Sequence, residues 1–160
     1  MKIFSLETKA TIIIVAALSF GSSLACSCHY MGVFEEFVKE HPIVVRGTVQ
    51  KHGEQLRDQS SSFKTMSIVV SETIKGNFPH SEFEFFGDTG MSCLRYITLE
   101  NYPVGSEHFF ILESEEFNQP LMVCGESSVL IMGDIVKGYS LHGGYSTYEK
   151  DLNVFLEQIR

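Results

Sequence analysis

Four cysteines set the tightest constraint on this chain: Cys26, Cys28, Cys93 and Cys124, the first two separated by a single serine. They follow a stretch with the marks of a secretory signal. Lys2 and Lys9 flank its start, Ala10–Phe20 (ATIIIVAALSF) is an 11-residue apolar run, and Gly21-Ser22-Ser23-Leu24-Ala25 supplies small residues at a processing site. Eleven apolar residues are too few to cross a bilayer, so no membrane span is expected. Ser23 and Ala25 place the cut between Ala25 and Cys26, and the mature protein then begins with a cysteine. A lipoprotein signal also cuts before cysteine, but it wants leucine where this chain has Ser23, which makes lipidation the lesser alternative. The expected organisation is a signal peptide over 1–25 and one exported domain over 26–160.

Export implies an oxidising compartment, either outside the cell or in the periplasm of a Gram-negative one, and there four cysteines form two disulfides. A bridge between Cys26 and Cys28 would close a very small ring against the normal dihedral geometry. Both cysteines must therefore reach forward to Cys93 and Cys124, in either of two pairings. Each bridge closes a loop of roughly 65 to 100 residues, which by chain entropy contributes up to about 4 kcal/mol for the first one formed. A redox pair would want a thioredoxin-like unit, and a zinc site a second Cys or His pair at close spacing; the sequence has neither. Removing Lys2, Lys9 and Glu7 from 12 basic and 20 acidic residues leaves 10 and 19, a net charge of -9. That balance excludes nucleic acid as a partner, because phosphate binding needs a basic face.

Periodicity outlines the mature domain. Val33, Phe34, Phe37 and Val38 recur at helical spacing through Gly32 to His41, stopped near Pro42. Strands are expected over Ile43 to Gln50, Phe63 to Ile74, Glu82 to Phe86, Glu107 to Glu113 and Pro120 to Cys124, with a polar loop at His52 to Ser61 and a polar turn at Ser114 to Gln119. Five short strands with turns between them indicate a small all-β barrel or sandwich. Phe83, Phe85, Phe86, Phe109 and Phe110 are expected in its core. Gly133-Asp134 reads as a two-residue hairpin between Val129 to Met132 and Ile135 to Lys137. Ser146-Thr147-Tyr148-Glu149 has capping-box spacing ahead of a terminal helix with Leu152, Phe155, Leu156 and Ile159 on one face. The six histidines are scattered, mostly in expected loops, and no Ser or Cys nucleophile has an evident base partner, so no enzyme is expected.

Cys26-Ser27-Cys28 directly after a signal, Val44 to Val49 (VVRGTV), Thr73-Ile74-Lys75-Gly76, Ser92-Cys93, Phe109 to Leu112 and Cys124, in that order, resemble the tissue inhibitors of metalloproteinases and, more broadly, the netrin-like domain. The resemblance covers about residues 26 to 125. It implies a mainly β, five-stranded OB-fold-like barrel, a short N-terminal helix, a C-terminal helix packed on the barrel, and disulfides Cys26–Cys93 and Cys28–Cys124. One domain with two bridges, without the third bridge and the C-terminal subdomain of the animal inhibitors, looks like the bacterial-type form.

What the resemblance implies for function follows from a freed N-terminal cysteine. A catalytic zinc keeps one coordination position open for water, and two donors at chelating distance displace that water. The α-amino nitrogen and carbonyl oxygen of Cys26 are those donors, so the only metal involved is the zinc of a secreted or surface metalloprotease, and no cofactor of its own is expected. With a typical pKa of about 7.7 to 8.0, a useful fraction of such an α-amino group is neutral and able to coordinate at neutral pH. Ser27 would enter the protease's primary specificity pocket, Cys28, His29 and Tyr30 would continue along the cleft, and Met91 and Ser92 would form the adjoining ridge. A monomer is expected. The alternative is a non-inhibitory netrin-like module that binds another protein or a glycan, with the cysteines as staples only.

Overall fold

The computed structural model describes residues 32–56, 62–87, 94–122, 126–140 and 146–160. In chain order its elements are α1 (Phe34–Glu40), β1 (Ile43–Leu56), β2 (Ser62–Lys75), β3 (Glu82–Phe86), β4 (Glu107–Leu112), β5 (Asn118–Pro120), β6 (Ser128–Met132), β7 (Ile135–Ser140), β8 (Ser146–Asp151) and α2 (Leu152–Ile159). The fold is mainly β, with two short helices and one open sheet of order β5-β3-β2-β1-β4-β6-β7-β8. All its ladders are antiparallel except that between β3 and β5. Among the described residues no helix is long and apolar enough to cross a membrane.

The sheet curls strongly at its β5 end. In the strand order β3 and β4 are separated by β2 and β1, which in a flat sheet would hold them about 14 Å apart. Yet the rings of Phe85 in β3 and Phe110 in β4 lie 5.2 Å apart, and those of Phe83 and Phe110 6.1 Å. Val45, Met66, Ile68, Phe83, Phe85, Phe110, Leu112 and Leu121 close into one buried cluster on this inner face. The expected five-stranded barrel is not closed by strand pairing among the described residues. β4 uses its second edge to pair with β6, from Glu107 opposite Ile131 to Phe110 opposite Ser128.

The outer face of the same strands is apolar as well. Val44, Phe109, Ile111, Val129, Ile131 and Val136 form a second cluster, covered by Phe34 and Val38 of α1 and Phe155 and Ile159 of α2. The periodicity of both helices is borne out: Leu152 and Leu156 join that cluster from the α2 face, and Phe155 packs 5.6 Å from Phe34 and 5.5 Å from Phe109 between ring centroids. Phe83, Phe85, Phe109 and Phe110 are core as expected, while Phe86 is half-buried against Phe63.

Three expectations from the sequence need correction. Of the polar stretch His52 to Ser61, the first five residues are strand, because β1 continues to Leu56 opposite Ser62, and 57–61 lie outside the described residues. Ladder hydrogen bonds do not require apolar side chains, and an exposed Lys64–Glu54 ion pair at 2.9 Å supports the extension. Of the strand expected at Pro120 to Cys124, Pro120 ends a strand that starts at Asn118, where the buried Gln119 donates its amide to the Ser114 carbonyl and closes the turn from inside, Met122 makes only an isolated bridge, and 123–124 lie outside the described residues. Ser146-Thr147-Tyr148-Glu149 is not a capping box but part of β8, paired to β7. The helix cap is Asp151, whose Oδ1 accepts from the amides of Asn153 at 2.9 Å and Val154 at 3.2 Å. The Gly133-Asp134 hairpin forms as expected.

Lys75-Gly76, one of the residue pairs behind the family resemblance, has a local structural task. The Lys75 ammonium donates to the carbonyls of Val38 at 2.6 Å and His41 at 2.9 Å, placing a cation at the negative, C-terminal end of α1. Gly76 sits at φ +76°, and a Cβ there would run into the Pro42 carbonyl oxygen. Gly76→Ala is therefore expected to lower unfolding free energy by at least about 2 kcal/mol through left-handed strain and that collision, as read by urea denaturation. A loss under about 0.5 kcal/mol would contradict this junction.

Candidate functional site

The residues that the sequence nominates, Cys26, Ser27, Cys28, His29, Met91 and Ser92, together with the partner cysteines Cys93 and Cys124, lie outside the described residues. The described chain does run up to each of these segments. Leu94, directly after Cys93, pairs with Met122, two residues before Cys124, and the Arg95 amide donates to the Leu121 carbonyl at 2.6 Å. The Leu121 amide in turn donates to Phe86 at 3.0 Å, which anchors this pair to the end of β3. On the other side of Cys124, a carboxylate oxygen of Glu126 accepts from the Phe34 amide at 3.1 Å, six residues after Cys28. The described ends nearest to three cysteine-bearing segments are thus joined by two sets of contacts, each involving a residue two positions from Cys124 in the sequence.

Glu126 belongs to a buried polar cluster that sequence reasoning missed. Glu126 is 2% exposed and Glu35 7%. The Tyr148 hydroxyl lies 2.8 Å from Glu126 Oε2 and 3.4 Å from Glu35 Oε2, and Lys150 forms an ion pair with Glu35. The hydroxyl has one proton to give, so it serves the nearer Glu126, and Lys150 serves Glu35. Burial, followed by the charges of Glu126 and Glu35, pushes the Tyr148 hydroxyl far above its ordinary pKa and keeps it a donor. A Cβ at Gly138 would collide with the Tyr148 ring and lie 2.7 Å from Glu126 Oε1, so only glycine admits the cluster. An isolated glycine inside a strand is the one signal in the sequence that could have pointed there.

A second internal network surrounds His108. This imidazole is 3% exposed in β4, stacked on Phe110 with ring centroids 5.4 Å apart, and its Nε2 lies 2.8 Å from Ser106 Oγ. His52, expected in a loop, lies in β1 with its Nε2 2.7 Å from the Tyr102 carbonyl oxygen, and the Tyr102 hydroxyl is 2.9 Å from Ser128 Oγ. Ser106 and His108 are a serine–histidine contact that the sequence reading did not find. Its polarity is wrong for a nucleophile and base: Ser106 Oγ donates to the Pro103 carbonyl at 2.6 Å, so the imidazole N–H donates to Ser106. Burial holds His108 at a pKa of about 4, with Glu107 opposing the shift. A hydroxyl committed to the Pro103 carbonyl and an imidazole that donates to it make a structural pair.

A shallow apolar groove of about 400 Å³ is lined by Thr48, Val49, Gln50, Val69, Val104 and Gly105. Among the described residues no group of three His, Cys, Asp or Glu side chains is placed to hold a metal ion. Comparison with protein-family models, with curated proteins and with solved structures found no match.

The His108 environment yields a pH signature. The unfolded chain takes up a proton on this histidine near pH 6.5 while the folded protein does not until about 4, so stability falls as pH drops through that interval. The contribution is at most about 3 kcal/mol. Urea midpoints at pH 7 and 4.5 are expected to show a steeper acid loss for wild type than for His108→Gln, by roughly 2 kcal/mol. Equal slopes would contradict the buried neutral imidazole.

Proposed function

We propose that this chain is an exported inhibitor of a zinc metalloendopeptidase, acting through the backbone of a freed N-terminal Cys26. The observation that carries the proposal is that the described residues flanking Cys124 in the sequence meet the other chain ends: Leu94 against Met122, and the Phe34 amide on Glu126. Two bridges running from Cys26 and Cys28 to Cys93 and Cys124 need their segments to approach one another, and those contacts bring the described flanks together. The pairing Cys26–Cys93 and Cys28–Cys124 belongs to this reading. So does the OB-type barrel, which is supported by the curled sheet and its single inner cluster.

On this reading the α-amino nitrogen and carbonyl oxygen of Cys26 coordinate the target's zinc in place of water, while its sulfur is held by Cys93. Ser27 fills the primary specificity pocket, Cys28 and His29 run along the cleft, and Met91 and Ser92 form the neighbouring ridge. Bridges that hold this edge rigid lower the entropy cost of docking. The chain contributes no metal or cofactor, and the chemistry is occlusion, with no turnover by the inhibitor.

The test is mature protein beginning at Cys26 compared with the same protein carrying one extra alanine before it. The extra residue removes the α-amino donor from chelating position, and inhibition of a zinc metalloendopeptidase is expected to weaken by at least about 100-fold, the loss of roughly 3 kcal/mol of binding. Equal inhibition by the two proteins would sink chelation. Binding to a protein or glycan with indifference to the N-terminus is the outcome that the netrin-like module alternative requires.

A further inference from the structure

We infer that β1 pairs edge to edge with β1 of a second copy of this chain along Lys51–Gln55, about a twofold axis through Gly53, giving a weak, concentration-dependent dimer. This goes beyond the inhibitor reading and does not rest on it.

β1 has a strand on both sides for only part of its length. β2 accompanies it to Leu56, but on the other side the β4 ladder ends at Thr48 opposite Glu107, followed by a last exchange of Val49 with Gly105 and Ser106. Among the described residues no strand lies along that side beyond Val49. Lys51, Gly53, Glu54 and Gln55 are all exposed, and the exposed surface of a glycine is main chain, so the edge is open at its centre. An open row of N–H and C=O groups is a template for another strand.

The side chains along the edge decide which strand fits. His52 lies opposite Met66 and Glu54 opposite Lys64, so both project from one face, and Gly53, opposite Thr65, belongs to the other. For two copies to continue one sheet with matching faces, some residue must meet its own counterpart on the axis. Centring on Lys51 or Glu54 sets like charges against each other, and centring on His52 brings two imidazoles together. Centring on Gly53 sets His52 opposite Glu54 of the second copy, twice by symmetry, with Lys51 opposite Gln55 and two glycines on the axis.

Glu54 then stands in a row between Lys64, 2.9 Å away, and the imidazole of the second copy. His52 Nε2 already lies 2.7 Å from the Tyr102 carbonyl oxygen. An imidazolium there donates one N–H to that carbonyl and keeps the other for the incoming carboxylate. In that row the imidazole has Met66 of its own β2 on one side and the carboxylate on the other, with Lys64 of the second copy as the next charge along. Gln50, at one end of the edge, lines the apolar groove with the exposed Val69 and Val104. Five residues a side fall short of the area a stable dimer needs, so the monomer expected from the sequence is the state at low concentration.

The test is sedimentation velocity of the exported, unreduced protein at low salt and about pH 6, from about 5 to 500 µM, with amide hydrogen exchange at both ends of that range. Wild type is expected to pass reversibly from monomer to dimer with a Kd on the order of 100 µM, and exchange at 51–55 is expected to slow at the high end while the β1–β4 ladder stays unchanged. Glu54→Lys sets two cations opposite each other and His52→Glu two carboxylates, so each variant alone is expected to associate at least about tenfold more weakly. Mixed in equal amounts, each supplies the charge that the other lacks, and association is expected to recover. Should His52→Glu fail to fold, Glu54→Lys decides, because it alters only an exposed ion pair. A monomer throughout, a dimer undiminished by Glu54→Lys, or no recovery on mixing two folded variants would each overturn the dimer. So would protection of 51–55 independent of concentration, which would mean that the same chain covers this edge.

Discussion

The burial of β1 and β4 on both faces governs everything else in this fold. Adjacent residues point in opposite directions, so Val44, Phe109 and Ile111 face one side and Val45, Phe110 and Leu112 the other, and all six are buried. A strand pair that is apolar on both sides cannot sit at a protein surface. One side is covered by the sheet's own curl, which carries β3 and its phenylalanines over the inner cluster. The other is covered by α1 and α2, each too short to persist unless it is packed there. The tail after Cys124 is accordingly part of the core, and the fold needs β6, β7 and α2 to complete it.

That arrangement explains what could be read from the sequence. β3, the β6–β7 hairpin and the apolar face of α2 follow directly from periods of two and 3.6, because each has one face in a core and one in solvent. The far end of the β1–β2 hairpin escaped, since Lys51 to Gln55 is polar on both faces and looks like a loop until its partner strand is placed beside it. β8 escaped for a different reason. Ser-x-x-Glu spacing fits a helix start as well as an edge strand, and what decides is the burial of Glu35 and Glu126 next to Tyr148 and Lys150. No local pattern announces a carboxylate that serves a helix 92 positions away.

The candidate site divides in the same way. Cysteine number and spacing reduce the pairings to two by simple steric reasoning, and resemblance adds a chemical role for Cys26. The buried cluster of Glu35, Glu126, Tyr148 and Lys150, with Gly138 as its only trace in the sequence, became visible once the sheet was assembled. Glu126 links the two levels: it lies two residues from Cys124 and accepts the first amide of α1.

The central claim is that a processed N-terminal cysteine is presented by two bridges of defined pairing. Mass spectrometry of exported, unreduced protein, intact and after proteolysis, tests it most directly. The account predicts a chain that starts at Cys26 with an unmodified α-amino group, no free thiol, and linked peptides joining Cys26 to Cys93 and Cys28 to Cys124. An acylated Cys26, a chain that begins elsewhere, free thiols, or a bridge from Cys26 to Cys124 would contradict it.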